Sequence, residues 1–187
     1  MLFVILSSFD NRLGPKIFLK TPEDVENVYL DQVPLLMDLY REGFFIHEFG
    51  NLRTANLIFE IRSPLARGRK ELLMISIVSY AENFYLDLNS FKEILQFFTN
   101  RLKNIKDLYE GFHCEQLNRG REKFSQLYEL MHSFYNNLPS ERQLHEKLFS
   151  QVLTFKLSSQ GKSHILENLR QELNTRRINP ASANLGL

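Results

Sequence analysis

The residues that could do chemistry are few and scattered along the chain. Gly161-Lys162-Ser163 has the closing letters of a phosphate-binding loop, but that loop needs another glycine five residues before Gly161, where this chain has Lys156. The run also follows a helical pattern, whereas a phosphate-binding loop follows a strand. We therefore interpret it as a helix boundary, with Ser163 capping the next helix.

The histidines and the single cysteine form no recognisable ligand set. The histidines lie at positions 47, 113, 132, 145 and 164, and none has the paired spacing of a zinc hydrolase helix. His113 precedes Cys114, but adjacent residues point apart, and catalytic partners usually meet from distant segments. We expect no catalytic residue, no metal site and no cofactor.

Basic residues gather in one loop, where Arg62, Arg67, Arg69 and Lys70 lie close together. Such a cluster can contact lipid phosphates or an acidic partner. The alternative is a solvated loop whose charges keep the sheet edge in water. Because 23 Lys and Arg balance 22 Asp and Glu, no general attraction to nucleic acid is expected.

The apolar runs of the chain are short. The first run, residues 2–6, stops at Ser7 and has no basic region before it, so we expect no signal peptide. No run approaches the roughly 20 residues that span a bilayer, and any membrane contact should be peripheral. A single cysteine fits a reducing compartment, and the expected location is the cytoplasm.

Five strands should position these residues. Gly14-Pro15 and Gly50-Asn51 are turn signals, and each is flanked by apolar runs, which predicts two hairpins. A later run is apolar on both faces and should be the central strand. Short turns between strands predict a mostly antiparallel sheet. The predicted strands are residues 2–9, 17–19, 44–49, 52–61 and 72–78.

One face of this sheet should be wet. Leu57, Phe59 and Ile61 alternate with Glu60 and Arg62, as expected of a strand with one polar side. We therefore predict an α+β domain whose helices gather on the other face of the sheet.

The helices are predicted from apolar residues at three- and four-residue spacing. The clearest should run over residues 90–110, started by a Ser90/Glu93 capping box, with Lys103 and Lys106 on its wet face. Pro34 should kink the first helix or lie in its first turn. The other predicted helices are residues 21–42, 117–135, 140–155 and 163–173.

The predicted order, ββαβββαα, is that of the longin domain. The segment at 9–17, with its Gly-Pro pair, resembles the first hairpin of longin families. The segments at 44–49, 54–61 and 63–68 are similar to archaeal members of the longin-like group. The resemblance covers residues 1–136. It implies a longin-like domain over that range, followed by a helical extension at 137–177 and a flexible tail at 178–187.

The resemblance implies association without catalysis, since longin and roadblock domains pair through helices or sheet edges and present a platform to small GTPases. We expect an adaptor in vesicle-mediated transport that forms dimers and binds a small GTPase or another longin or roadblock protein. The rival interpretation is a sensor that holds a small molecule or lipid between sheet and helices. The candidate contact residues are Leu35, Leu36 and Leu39 on the first helix, and Arg67 and Arg69 in the basic loop.

Overall fold

A computed structural model describes most of the chain up to Pro139. The chain divides into two units, Met1–Glu141 and Arg142–Leu187, and all the elements below lie in the first. Apart from residue 143, the helices predicted at 140–155 and 163–173, the Gly-Lys-Ser run and the predicted tail lie outside the described residues. The described residues are 2–10, 12–66, 68–80, 86–114, 117, 119–139 and 143.

Five strands form one sheet in the order β2-β1-β5-β4-β3. Every neighbouring pair is antiparallel. The predicted α+β class and antiparallel five-stranded sheet are thereby confirmed, as is the central place of the doubly apolar strand, now β5. The strands are β1 (Leu2–Asp10), β2 (Gly14–Thr21), β3 (Gly43–Phe49), β4 (Leu52–Arg62) and β5 (Lys70–Tyr80).

Both predicted hairpins are present, and each turn has a local cause. In the β1–β2 turn the Asp10 carboxylate accepts hydrogen bonds from Lys16 and from the amides of Arg12 and Leu13. These donors, Lys16 above all, hold the pKa of Asp10 well below its usual range. In the β3–β4 turn Gly50 has a φ of +56°, which a residue without Cβ adopts at no steric cost.

The sheet is covered on both faces, which corrects the prediction of one wet face. We call residues 22–40 the cover segment, because its apolar side chains seal the face that includes Phe3, Ile5 and Val78. The opposite face carries Phe59 and Ile61, both buried, on the side of the sheet that faces the later helices. A sheet whose central strands are apolar on both sides needs two covers.

The cover segment holds two short helical pieces where one helix was predicted. A 3₁₀ helix, Leu30–Gln32, is followed by α1 (Leu36–Leu39). Pro34 lies between them, and its carbonyl accepts from the Met37 amide at 2.9 Å. Since proline cannot donate within a helix, α1 begins only after it.

The long helix predicted at 90–110 is also divided. It consists of α2 (Lys92–Lys103) and a 3₁₀ helix, Leu108–His113, separated at Asp107, whose φ is 56°. A left-handed residue cannot continue an α-helix, so the chain turns there. The predicted Ser90 cap is wrong, because the Ser90 hydroxyl donates to the Asp87 carbonyl instead.

The last described helix, α3 (Gly120–Asn136), begins where two backbones touch. A methyl group at Gly120 would overlap the Cα of Cys114 and lie 2.8 Å from the Glu110 carbonyl oxygen. Glycine is a poor helix former, but here it permits the close approach of α3 to the preceding 3₁₀ helix. Within the described residues, no helix combines the length and the apolar character needed to cross a bilayer.

Candidate interaction site

Two leucines of the cover segment project into solvent. Leu35 is 49% exposed and Leu39 is 71% exposed. Leu35 directly precedes α1 and has helical backbone angles, so Leu35 and Leu39, four residues apart, lie on the same side of this turn. Leu36, also a candidate, is 3% exposed and packs in the core with Val33. It therefore supports this surface from beneath.

Tyr40 joins the two leucines to the edge of the sheet. Its ring stacks on Phe45 of β3, with centroids 3.9 Å apart and planes 11° apart. Its hydroxyl is 3.0 Å from Nδ1 of His47. We call Leu35, Leu39 and Tyr40 the α1 surface. Among the described residues β3 pairs only with β4, so the α1 surface lies beside an open strand edge.

Few polar contacts hold the cover segment to its neighbours. Lys20 Nζ donates to the Val25 carbonyl at 2.5 Å, and Asn27 Nδ2 donates to Asn51 Oδ1 at 3.0 Å. A hydrogen bond with Glu23, assisted by partial burial, raises the pKa of Tyr128 on α3. The segment is thus fastened near its start, while its later half depends on apolar packing and on Tyr40.

Polar side chains lie in the strand face under the cover segment. Asn56 and Ser76 are opposite each other on β4 and β5, and Ser7 is on β1. All three are fully buried, and Asn56 Oδ1, Ser76 Oγ and Ser7 Oγ have no hydrogen-bond partner among the described residues. An unsatisfied buried polar atom costs about 1–3 kcal/mol, which weakens the packing on this face.

The second predicted surface, the basic loop between β4 and β5, forms one wall of an open cleft. The cleft has a volume of about 940 Å³, and the opposite wall is the end of α2 and the turn after it. Arg69 lines the cleft, whereas Arg67 lies outside the described residues. We call this feature the basic cleft. Its cationic lining residues are Arg62, Arg69, Lys70, Lys103 and Lys106.

Sequence reasoning missed two of these five cations. Lys103 and Lys106 were expected on the wet face of a long helix, but the turn at Asp107 brings them opposite the basic loop. Lys103 Nζ lies 5.7 Å from the centroid of the Phe59 ring, a distance typical of a cation–π contact. No signal in the spacing of these residues relates α2 to the loop, because the fold brings them together from distant segments.

Most of the cleft's positive charge has no ion-pair partner in the part of the chain that the structure describes. Lys70 Nζ binds the Glu60 carboxylate, which raises the pKa of Lys70. Arg62, Arg69 and Lys106 form no ion pair within the part of the chain that the structure describes. The cleft is therefore an electropositive surface.

Backbone conformation sets this cleft apart from the rest of the chain. Arg69 and Asp107 are the non-glycine residues with positive φ in the described ranges, with values of 60° and 56°, and both line the cleft. Such residues cost about 1–3 kcal/mol and persist only where the surroundings require them. Each wall of the cleft is thus shaped by one strained residue.

A shared carboxylate beside the cleft joins the basic loop to the 3₁₀ helix. Glu71 accepts hydrogen bonds from the Ser63 hydroxyl and from Nε2 of His113, the latter at 2.8 Å. The serine donates to the carboxylate and not to the imidazole, so this set lacks the nucleophile–base contact of a hydrolase. Glu71 thereby fastens the 3₁₀ helix to β5.

The comparisons with known proteins add no relative. A scan against protein-family models finds no match for the chain. A search of curated proteins finds no similar sequence. The function must therefore be inferred from the α1 surface and the basic cleft.

Proposed function

We propose that this chain is a non-catalytic interaction module of longin type that binds a small GTPase and forms dimers. The observation that carries the proposal is the α1 surface: two adjacent exposed leucines lie next to the edge of β3 that has no partner strand among the described residues. Single exposed leucines are ordinary on protein surfaces. A pair fixed beside an unpaired strand is a place where another protein can bury apolar area and add backbone hydrogen bonds.

The order of elements supports the longin assignment. Along the described residues two strands, a short helix, three strands and two longer α-helices follow one another. The residues of the first hairpin, with Gly14 at a φ of +80° before Pro15, are those on which the resemblance was based. An edge strand can start with proline because its first amide needs no partner.

Binding through this surface needs no chemical step. Leu35 and Leu39 supply apolar area, at about 25 cal/mol for each Å² that is buried. The N–H and C=O groups on the outer side of β3, which pair with no strand in the described ranges, can fix the register of a partner strand. The stacked Tyr40 holds the two features at a constant separation, which reduces the ordering cost of association.

A binding assay with purified small GTPases tests the proposal. The full chain is immobilised and presented with a panel of them, each loaded with GDP or with a non-hydrolysable GTP analogue. We expect at least one GTPase to bind with a preference for one nucleotide state. Light scattering after size-exclusion chromatography should show a dimer.

Paired variants locate the contact. Leu39→Ser should weaken GTPase binding about tenfold or more, because a central apolar anchor carries much of the energy of an interface. Leu13→Ser is the matched control, since Leu13 is 77% exposed in the β1–β2 turn, away from α1. A strictly monomeric chain that binds no GTPase would contradict the proposal, as would equal effects of the two variants.

A further inference from the structure

We propose that the basic cleft is a binding site for a phosphorylated ligand, independent of the α1 surface. The cleft lies between the end of β4, the loop that follows it and the end of α2. Its volume of about 940 Å³ is in the range of small-molecule sites. A sugar phosphate or an inositol phosphate headgroup is of suitable size.

The charges lining the cleft favour a multiply charged anion. Glu60 is engaged by Lys70, so Asp107 is the one unpaired acid in the described lining. The same lining contains four further cations. Lys103 contacts the Phe59 ring, and the other three are Arg62, Arg69 and Lys106. A single carboxylate cannot neutralise this set, whereas a phosphate group carries up to two charges and several acceptor oxygens.

The kinds of cation also fit phosphate. Arg62 and Arg69 come from one wall, and a guanidinium can donate two parallel hydrogen bonds to a phosphate. Lys103 and Lys106 come from the other wall and act as point charges. A ligand between the walls would therefore be contacted from two sides, which a flat basic surface does not offer.

Tyr109 adds a neutral donor at the same place. Partial burial, together with the nearby carboxylates of Glu110 and Asp107, raises the pKa of the Tyr109 phenol. The hydroxyl therefore stays protonated at neutral pH and can donate a hydrogen bond to a phosphate oxygen. The left-handed Arg69 and Asp107 are then explained as strain that shapes a binding site.

Two sources can supply this phosphate, a soluble metabolite or a lipid headgroup. Leu65 is 48% exposed in the basic loop, where it could enter a bilayer interface beside the cations. Titration calorimetry with inorganic pyrophosphate tests the soluble source. Co-sedimentation with phosphatidylcholine vesicles, with and without a phosphorylated phosphatidylinositol, tests the lipid source.

A charge-matched pair of variants decides the location. Arg62→Gln with Lys106→Gln should weaken binding of the active probe about tenfold or more, because each removes a charge-assisted contact. Arg12→Gln with Lys92→Gln removes the same charge from exposed residues outside the cleft and should leave binding within about twofold. Thermal unfolding of the parent chain and of both double variants checks that each is folded.

Each result has one meaning. Pyrophosphate binding that is lost only in the cleft variant supports the site with a soluble ligand. Binding only to vesicles with the phosphorylated lipid, lost in the cleft variant and reduced by Leu65→Ser, supports the site with a lipid ligand. Binding of neither probe, or equal loss in the cleft and control variants, would overturn the inference.

Discussion

The two faces of the sheet differ in what seals them. On one face, α2 contributes Leu95, Phe98 and Leu102, all fully buried, and α3 packs beside it. On the other, the cover segment contains a three-residue 3₁₀ helix and the four-residue α1. The first face joins long amphipathic helices to an apolar surface, whereas the second closes over partly polar strands with a short irregular segment.

We infer that the two faces differ both in their contribution to stability and in their part in the proposed binding. Long helices bury much apolar area and expose a polar side, so we expect the face under α2 and α3 to resist local opening more than the face under the cover segment. The cover segment is too short to bury all its leucines, and those left outside form the α1 surface. Regions with few stabilising contacts are the ones that open locally and adapt to partners. We therefore infer that the face under the cover segment carries the proposed contact with a protein partner, whereas the basic cleft lies at the end of α2.

Matched leucine truncations should give the largest contrast. Leu95→Ala should cost about 4 kcal/mol of unfolding free energy, because the helices on that face cannot collapse into the cavity. Leu36→Ala, at an equally buried site in α1, should cost about 2 kcal/mol, since the short cover segment can shift inward. Urea unfolding measures both. Equal losses would mean that the two faces are equally rigid.

Gly120→Ala tests the close approach on the helical face. The added methyl group meets backbone atoms of Cys114 and Glu110, which cannot rotate away. We expect the unfolding free energy to fall by about 3 kcal/mol, which is at the upper end for overpacking, even though alanine is the better helix former. Thermal unfolding provides the measurement. A stabilised Gly120→Ala protein would show that α3 and the 3₁₀ helix do not touch as described.

Gly50→Ala makes the corresponding change beside the cover segment. The methyl group would overlap the ring of Tyr29, and the residue would keep a φ of +56°. Because the obstacle is a side chain that can swing out, the loss should be about 1–2 kcal/mol, smaller than at Gly120. Tyrosine fluorescence and urea unfolding can follow it. A larger loss of unfolding free energy than that of Gly120→Ala would show that the cover segment yields less than the helical face does.

Ser76→Ala should have the smallest effect and a different sign. Its hydroxyl is fully buried without a hydrogen-bond partner in the described residues. Removing an unsatisfied hydroxyl relieves its desolvation cost, so we expect stability to rise by up to about 1 kcal/mol. Ser79→Ala on the opposite face of the same strand is the control. The Ser79 hydroxyl donates to the Tyr80 carbonyl, so its removal should lower the unfolding free energy. A marked loss at Ser76 would reveal a hydrogen bond there.

The predictable parts of this fold are those with a strong local pattern. The doubly apolar β5 and the Gly50-Asn51 turn are local signals, and each appears as predicted. The alternation in β4 predicted a strand correctly but a wet face wrongly, because most of its residues are buried on both sides. The cover over the second face of the sheet was not predicted, because nothing in the spacing of residues 22–40 tells which face they contact. Pro34 also divides the predicted helix into two short pieces. The break after α2 was not predicted. It depends on the left-handed conformation of Asp107, which is set by tertiary packing and leaves no trace in the spacing of apolar residues.

The candidate sites divide in the same way. Leu35 and Leu39 could be proposed from the sequence because they are four residues apart in one predicted helix, and both are exposed. Leu36 shows the limit of this reasoning, since a shift of one residue turns a side chain from solvent into the core. The basic cleft could be predicted only on the side of Arg69, because Lys106 reaches it from a different element.

Hydrogen exchange of the full chain tests the assignment of the two faces most directly. Amides in and directly after α1, such as those of Met37 and Tyr40, should exchange through local opening at a free energy several kcal/mol below that of global unfolding. Amides in the middle of α2 and β5 should exchange only when the whole domain unfolds. Exchange of α1 and α2 together, in one cooperative step at the same free energy, would contradict the account.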